Sequence, residues 1–115
     1  MSAELQDKNV ILYRRVSTTD QKLNGHSLIT QHDNLRNFAR RNGMNVVREF
    51  MEDFSAKNFN RPEFKNLEDY VKKNKNLVDY ILITSWDRFS RNVAEGLAVI
   101  YSMKALGVEI NCTDS

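Results

Sequence analysis

Apolar positions in this chain fall into short continuous runs separated by stretches of helical periodicity. Val10-Ile11-Leu12-Tyr13 is an unbroken apolar run, too short for a helix, and has the pattern of a strand buried on both faces. Ser27 suits an N-cap, and after it Leu28, Leu35, Phe38 and Ala39 recur on one side until Gly43 stops the helix. Residues 44–50, with Val46 and Val47 inside, read as a second strand that ends near Asp53. Residues 53–60 have no apolar periodicity and are expected to form a mobile loop. Pro62 fits the first turn of a helix that carries Phe64, Leu67, Tyr70 and Val71 at helical spacing, and Lys72, Lys73 and Lys75 complement its dipole at the far end. A third strand is predicted over 78–84, a helix over 92–106 closed by Gly107, and a last strand over 108–112.

Strands and helices thus alternate, β-α-β-α-β-α-β. That order predicts right-handed crossovers and a three-layer α/β/α domain, with helices on both faces of a mainly parallel four-stranded sheet. In the last helix Val93, Leu97, Ile100 and Tyr101 are expected to face the sheet, leaving Val99, Met103 and Leu106 off that stripe. A helix apolar over most of its circumference calls for a second covering surface, either an absent helix or a partner subunit. Complete burial within this domain fits the pattern equally well.

The chain has 115 residues, enough for one domain, taken as 1–115, and for a core that needs no staple. One cysteine, Cys112, excludes an intrachain disulfide framework and a cysteine-based zinc cluster. No run approaches the ~20 apolar residues of a membrane helix, and the N-terminus has no secretory h-region, so a cytoplasmic protein is expected. Net charge is only +2, but basic residues cluster at Arg14-Arg15, Arg40-Arg41, Lys72-Lys73 and Arg88 with Arg91.

In an open parallel sheet, ligands bind beyond the carboxyl ends of the strands. Here those ends carry Arg15-Val16-Ser17, Asp53, Asp87-Arg88 and Asp114. Arg15 and Ser17 are two apart on an extended segment and so share a side, which makes Ser17 a candidate nucleophile toward an anionic electrophile; a turn-capping serine beside a surface arginine fits the spacing as well. Arg88 and Arg91 share a helix face at a predicted N-terminus, where cations oppose the dipole unless a bound phosphate compensates. Asp87 can orient one of them or simply cap the helix. Arg61, just before Pro62, sits where the loop would let it swing onto a ligand, although an ordinary helix-start arginine fits the position better. Gln21 and Gln31 flank the first helix as neutral hydrogen-bonding groups. His26 and His32 lack further ligands nearby, and no metal site or cofactor is expected.

The segments Tyr13-Arg14-Arg15-Val16-Ser17-Thr18-Thr19-Asp20-Gln21 and Asp87-Arg88-Phe89-Ser90-Arg91 resemble the two signature segments of serine recombinases, the resolvase/invertase family. Ser27-Leu28-Ile29-Thr30-Gln31 is similar to the segment between them, and Arg61-Pro62-Glu63-Phe64 to the family's loop arginine with its following helix. The likeness is ordered and runs from about Val10 to Asp114. It departs at Ile29 and Thr30, where the family often has an acid, and at Phe54-Ser55-Ala56-Lys57-Asn58-Phe59, where many relatives have a glycine.

The resemblance implies that Ser17 attacks a DNA phosphodiester to form a covalent phosphoserine, with Arg15, Arg88 and Arg91 around the phosphate and Arg61 reaching it from the loop. It implies supporting roles for Gln21 and Gln31, an acid/base and arginine-orienting role for Asp87, a match of Asp53 to the acid after the second strand, and packing for Tyr13. It implies no metal, DNA as partner, and dimers or tetramers in the full-length protein. The chain is expected to be a catalytic fragment, with the dimerisation helix and DNA-reading domain elsewhere. Two other readings compete. A non-catalytic assembly domain would retain the fold and the phosphate pocket. A flavodoxin-like phosphate or nucleotide binder would need a glycine-rich loop where Thr18-Thr19-Asp20 stands.

Overall fold

A computed structural model describes residues 5–16, 27–53, 61–74, 76–90 and 92–113, with 15, 16, 27–33, 53, 87 and 88 described in backbone only. The elements follow in the order β1 (Asn9–Val16), α1 (Ser27–Arg41), β2 (Asn45–Asp53), α2 (Pro62–Lys73), β3 (Tyr80–Ile83), α3 (Trp86–Phe89), α4 (Val93–Ala105) and β4 (Glu109–Cys112). All strand pairs are parallel and the sheet order is β2-β1-β3-β4. The predicted α/β architecture with its four-stranded parallel sheet is therefore present.

Strand alternation sorts the core onto two faces. Val10, Leu12 and Leu82 pack with Leu35 and Ala39 of α1 on one face. Ile11, Tyr13, Ile81 and Ile83 pack with Phe64, Leu67 and Val71 of α2 and Met103 of α4 on the other. The chain moves outward from β1 to β2 under α1, then reverses past β1 to β3 under α2. A reversal of direction coupled to a change of face is what connections of one hand require. It leaves a switch point between the carboxyl ends of β1 and β3, the place where parallel sheets open a crevice.

Helix stops follow the glycines. Gly43 and Gly107 hold φ of 66° and 82°, a region costly for any residue with a Cβ. In each case the next amide reaches back to close the helix, Met44 N–H to the Ala39 carbonyl and Val108 N–H to the Met103 carbonyl, both at 2.9 Å.

Two expectations need correction, and the strand register holds a feature that the sequence pattern does not announce. The register of β1 on β2 shifts between Val10 and Ile11, because a bulge at Val47 inserts one residue. The expected helix over 92–106 is preceded by a separate four-residue helix, α3, so Arg88 is not at the start of the long helix. Finally, of the stripe expected to face the sheet only Ile100 packs on the core: it is joined there by Val99, Leu106 and the fully buried Met103, whereas Val93, Leu97 and Tyr101 are 75%, 46% and 67% exposed. Gly96 is also buried on that inward side, where the helix approaches Ser90.

Candidate active site

Three segments converge at the switch point, and each contributes one aromatic ring. Tyr13 comes from β1, Phe64 from α2 and Phe89 from α3. Their ring centroids lie 5.1 Å (Tyr13–Phe64), 6.0 Å (Tyr13–Phe89) and 5.8 Å (Phe64–Phe89) apart, all edge-to-face. Such pairs add about 0.5–1.5 kcal/mol each beyond the area they bury. The cluster fixes the carboxyl half of β1 against the segment that carries Asp87 and Arg88.

A buried carboxylate completes this frame. Glu52, 2% exposed, accepts hydrogen bonds from the Tyr13 hydroxyl at 3.0 Å, the Phe64 N–H at 3.0 Å and the Glu63 N–H at 3.1 Å. It thereby caps α2 from another strand, a task that the N-cap residue Arg61 does not perform with its own side chain. An anion at the positive end of a helix is favourable in its own right. Burial raises the Tyr13 pKa well above the usual phenol value; the Arg61 charge opposes that rise and the Glu52 charge adds to it.

Arg61 does not sit on an exposed loop. It is 3% exposed, with its guanidinium carbon 5.3 Å from the centre of the Phe89 ring. Pro62 at the first helical position and the Glu52 cap fix where α2 begins, and that start turns the side chain inward. Cation–π attraction offsets part of the cost of removing the charge from water. The structure thus joins Arg61 to the 86–89 segment through Phe89 and to β1 through Tyr13.

Other site residues are located only as far as their backbone goes. Arg15 lies in β1 in register with Glu52 of β2, and Asp53 is the last residue of β2, opposite Val16. Gln31 lies in α1, and Asp87 and Arg88 lie in α3. Ser17, Gln21, Arg91, Asp114 and the expected loop over 54–60 fall outside the described residues. Ser17 follows Val16, the residue on which β1 ends. The buried acid near the end of β2 that the sequence pattern does not single out is Glu52; the side chain of Asp53 falls outside the described residues.

The dipole argument does not carry over to Arg88, which lies in α3 and not at the start of the long helix. α4 has its own cap, with the Asn92 Oδ1 accepting the Glu95 N–H at 3.1 Å, and an acid in its first turn. Ser90 closes the junction: its hydroxyl donates to the Asn92 carbonyl at 3.0 Å and accepts the Asn92 N–H at 3.2 Å. Among the described residues, no group of three His, Cys, Asp or Glu side chains is placed to hold a metal ion. No helix of the described residues is long and apolar enough to cross a membrane.

This geometry meets a decisive comparison. The family model for the resolvase N-terminal domain matches residues 10–115. The chain belongs to the resolvase family. Similar solved structures within the serine recombinases include the C-terminal catalytic domain of ISC1926 TnpA, an IS607-like serine recombinase, at 29% identity and a TM-score of 0.79, with 93% of this chain and 68% of that one covered. The N-terminal catalytic domain of TP901-1 integrase shares 26% identity at a TM-score of 0.79, over 92% of this chain and 77% of that one. A resolvase family site-specific recombinase from Streptococcus pneumoniae shares 28% identity at a TM-score of 0.78, over 93% and 72%. No curated protein matches the chain. In a resolvase-family domain, the signature segments around Tyr13, Arg61 and Phe89 are the ones the aromatic cluster gathers.

Proposed function

We propose that this resolvase-family domain breaks and rejoins DNA strands, with Ser17 as the nucleophile. The Ser17 oxygen attacks a backbone phosphorus and the bond to the 3′ oxygen breaks. The serine proton is lost, a proton reaches the departing 3′ oxygen, and a phosphoserine ester remains on the 5′ side. Attack by a 3′ hydroxyl on that ester reverses the steps and reseals the strand. Keeping the bond as an ester allows rejoining without an energy source.

Charge builds on the non-bridging oxygens in the transition state, and guanidinium groups from Arg15, Arg61, Arg88 and Arg91 are assigned to stabilise it. A preorganised donor of this kind is worth roughly 3–4 kcal/mol. Asp87 is assigned to orient an arginine, and Gln21, Gln31 and Asp53 to support the site. Arginines in these roles take the place of the charge that two-metal nucleases draw from their ions. DNA is the substrate, and the active assembly is a dimer or tetramer of the full-length protein.

The observation that carries this reading is the convergence of the two signature segments and the Arg61–Phe64 segment on the Tyr13–Phe64–Phe89 cluster at the switch point. The test is incubation with a nicked duplex, from which the short 3′-hydroxyl fragment escapes after cleavage, followed by a denaturing gel. A protein–DNA adduct is expected for the wild type, also in the presence of EDTA, and none for Ser17→Ala. An adduct that survives in Ser17→Ala would overturn the assignment.

A further inference from the structure

On one face of the sheet, α1 packs over Val10 and Leu12 of β1 and Leu82 of β3. A groove of about 670 Å3 runs there, lined among the described residues by Asn34, Asn37, Arg40 and Arg41 of α1 and by Thr113 just after β4. Its floor is polar. Ile110 and Cys112 of β4 face the core on the opposite side, so alternation turns Glu109, Asn111 and Thr113 toward the groove side. An apolar helix would find no matching surface on such a floor, whereas a hydrated or charged ligand would.

The three arginines of α1 are treated differently. Arg36 lies on the β2 side and forms an ion pair with Glu49. Arg40 and Arg41 are exposed on the groove side, and neither has an ion pair among the described residues. Arg40 donates to the side-chain oxygen of Asn37. That bond occupies the acceptor of Asn37 and leaves its amide hydrogens to point outward. The lining therefore offers guanidinium forks, amide hydrogens and a hydroxyl, with no carboxylate among its described members. Glu109 lies at the start of β4, outside the groove lining. The donors lie along seven residues of helix, about 10 Å at 1.5 Å per residue, longer than the spacing of adjacent phosphates in a strand.

We propose that this groove is a second, non-catalytic phosphate site that holds the DNA backbone at a distance from the cleaved bond. The proposal rests on the reading of the domain as a DNA-acting recombinase. Contacts of this kind position the duplex and carry no sequence information. Its partner is recognised by charge and by fork geometry rather than by base edges.

The test is fluorescence anisotropy with a labelled 30-base-pair duplex of arbitrary sequence, titrated over a series of salt concentrations. For Arg40→Gln/Arg41→Gln the slope of log K against log salt is expected to fall by roughly 0.9 per phosphate lost, up to about 1.8 for two. Arg36→Gln, which removes an already paired charge, is expected to leave the slope unchanged, and Arg40→Lys/Arg41→Lys to retain most of it. A slope unaltered in the double glutamine variant, with far-ultraviolet circular dichroism confirming its fold, would overturn the site. So would an equal loss in Arg36→Gln, which would mark a diffuse surface effect. The Ser17 adduct assay reports separately on the catalytic reading: a wild type that shows the slope change without an adduct keeps the groove and loses the chemistry.

Discussion

Glu52 is the side chain whose removal should tell most about how the site is held. In Glu52→Ala, the Tyr13 hydroxyl and the N–H groups of Glu63 and Phe64 lose their acceptor at once, in a position only 2% exposed. Hydrogen bonds to a charged group contribute about 1.5–3 kcal/mol each, and a buried donor left without a partner costs about 1–3 kcal/mol. These contributions overlap, and α2 can fray by a residue to hydrate its first amides. A net loss of about 3–5 kcal/mol is therefore expected, a large share of the roughly 5–15 kcal/mol typical of a domain. Glu52→Gln should cost less, about 2 kcal/mol, because one oxygen still accepts from Tyr13 and Phe64 while the new amide group confronts the Glu63 N–H. Urea unfolding followed by circular dichroism measures both. Adding Tyr13→Phe closes a double-mutant cycle, and a coupling of at least 0.5 kcal/mol is expected for partners in direct contact. A loss below 1 kcal/mol in Glu52→Ala, or strict additivity with Tyr13→Phe, would refute the carboxylate's role as the pin of this frame.

The alkaline limb of stability should report on the same tyrosine. Its phenol is held neutral in the fold well above its ordinary pKa of 10.0, so the unfolded chain releases that proton first. Stability is thus intact below about pH 10 and declines by about 1.4 kcal/mol per pH unit above it, as long as the folded phenol stays protonated; Tyr13→Phe should remove that slope in urea titrations between pH 9 and 11. On α4, Met103→Ala should cost about 2–5 kcal/mol as a fully buried side chain, whereas Leu97→Ala, at a half-exposed position, should stay within about 1 kcal/mol. Thermal melts of the two variants distinguish the faces, and equal losses would contradict the observed packing.

Much of the fold was legible because its signals were local. The four segments read as strands became the four parallel strands, Gly43 and Gly107 stopped helices where a positive φ was needed, and Pro62 opened α2. What escaped depended on contacts between distant segments. Uninterrupted alternation from Val46 would place 49, 51 and 53 on the Tyr13 side of β2; the bulge at Val47 substitutes 48, 50 and 52. No residue type announces that bulge, so Asp53 looked as good an acid as Glu52. The face of α4 was hidden for a related reason: a helix with apolar residues all round has no stripe to read, and its orientation is set by packing against distant segments. The break between α3 and α4 comes from Ser90 and Asn92 bonding to one another, a capping arrangement that helical periodicity does not reveal. Arg61 reads as the end of a mobile loop because it precedes Pro62 after an aperiodic stretch, yet the ring of Phe89, twenty-eight residues on, holds it in the core.

The same caps bear on where the charge for phosphate chemistry comes from. Helix N-termini are ready anion sites when their first amides are open. At α2 the amides of Glu63 and Phe64 are bound to Glu52, and at α4 the amide of Glu95 is bound to Asn92. Both long helices that start at this edge and end against the Tyr13 face have thus committed first-turn amides internally, each with an acid nearby. A third helix, α3, has only four residues and a correspondingly small dipole. A phosphate at the switch point can draw little from these backbones. Side-chain guanidinium groups must then supply the field. Glu52 is satisfied three times over by Tyr13, Glu63 and Phe64, so it can fix the position of Arg61 beside Phe89 with its own hydrogen-bonding capacity already engaged elsewhere.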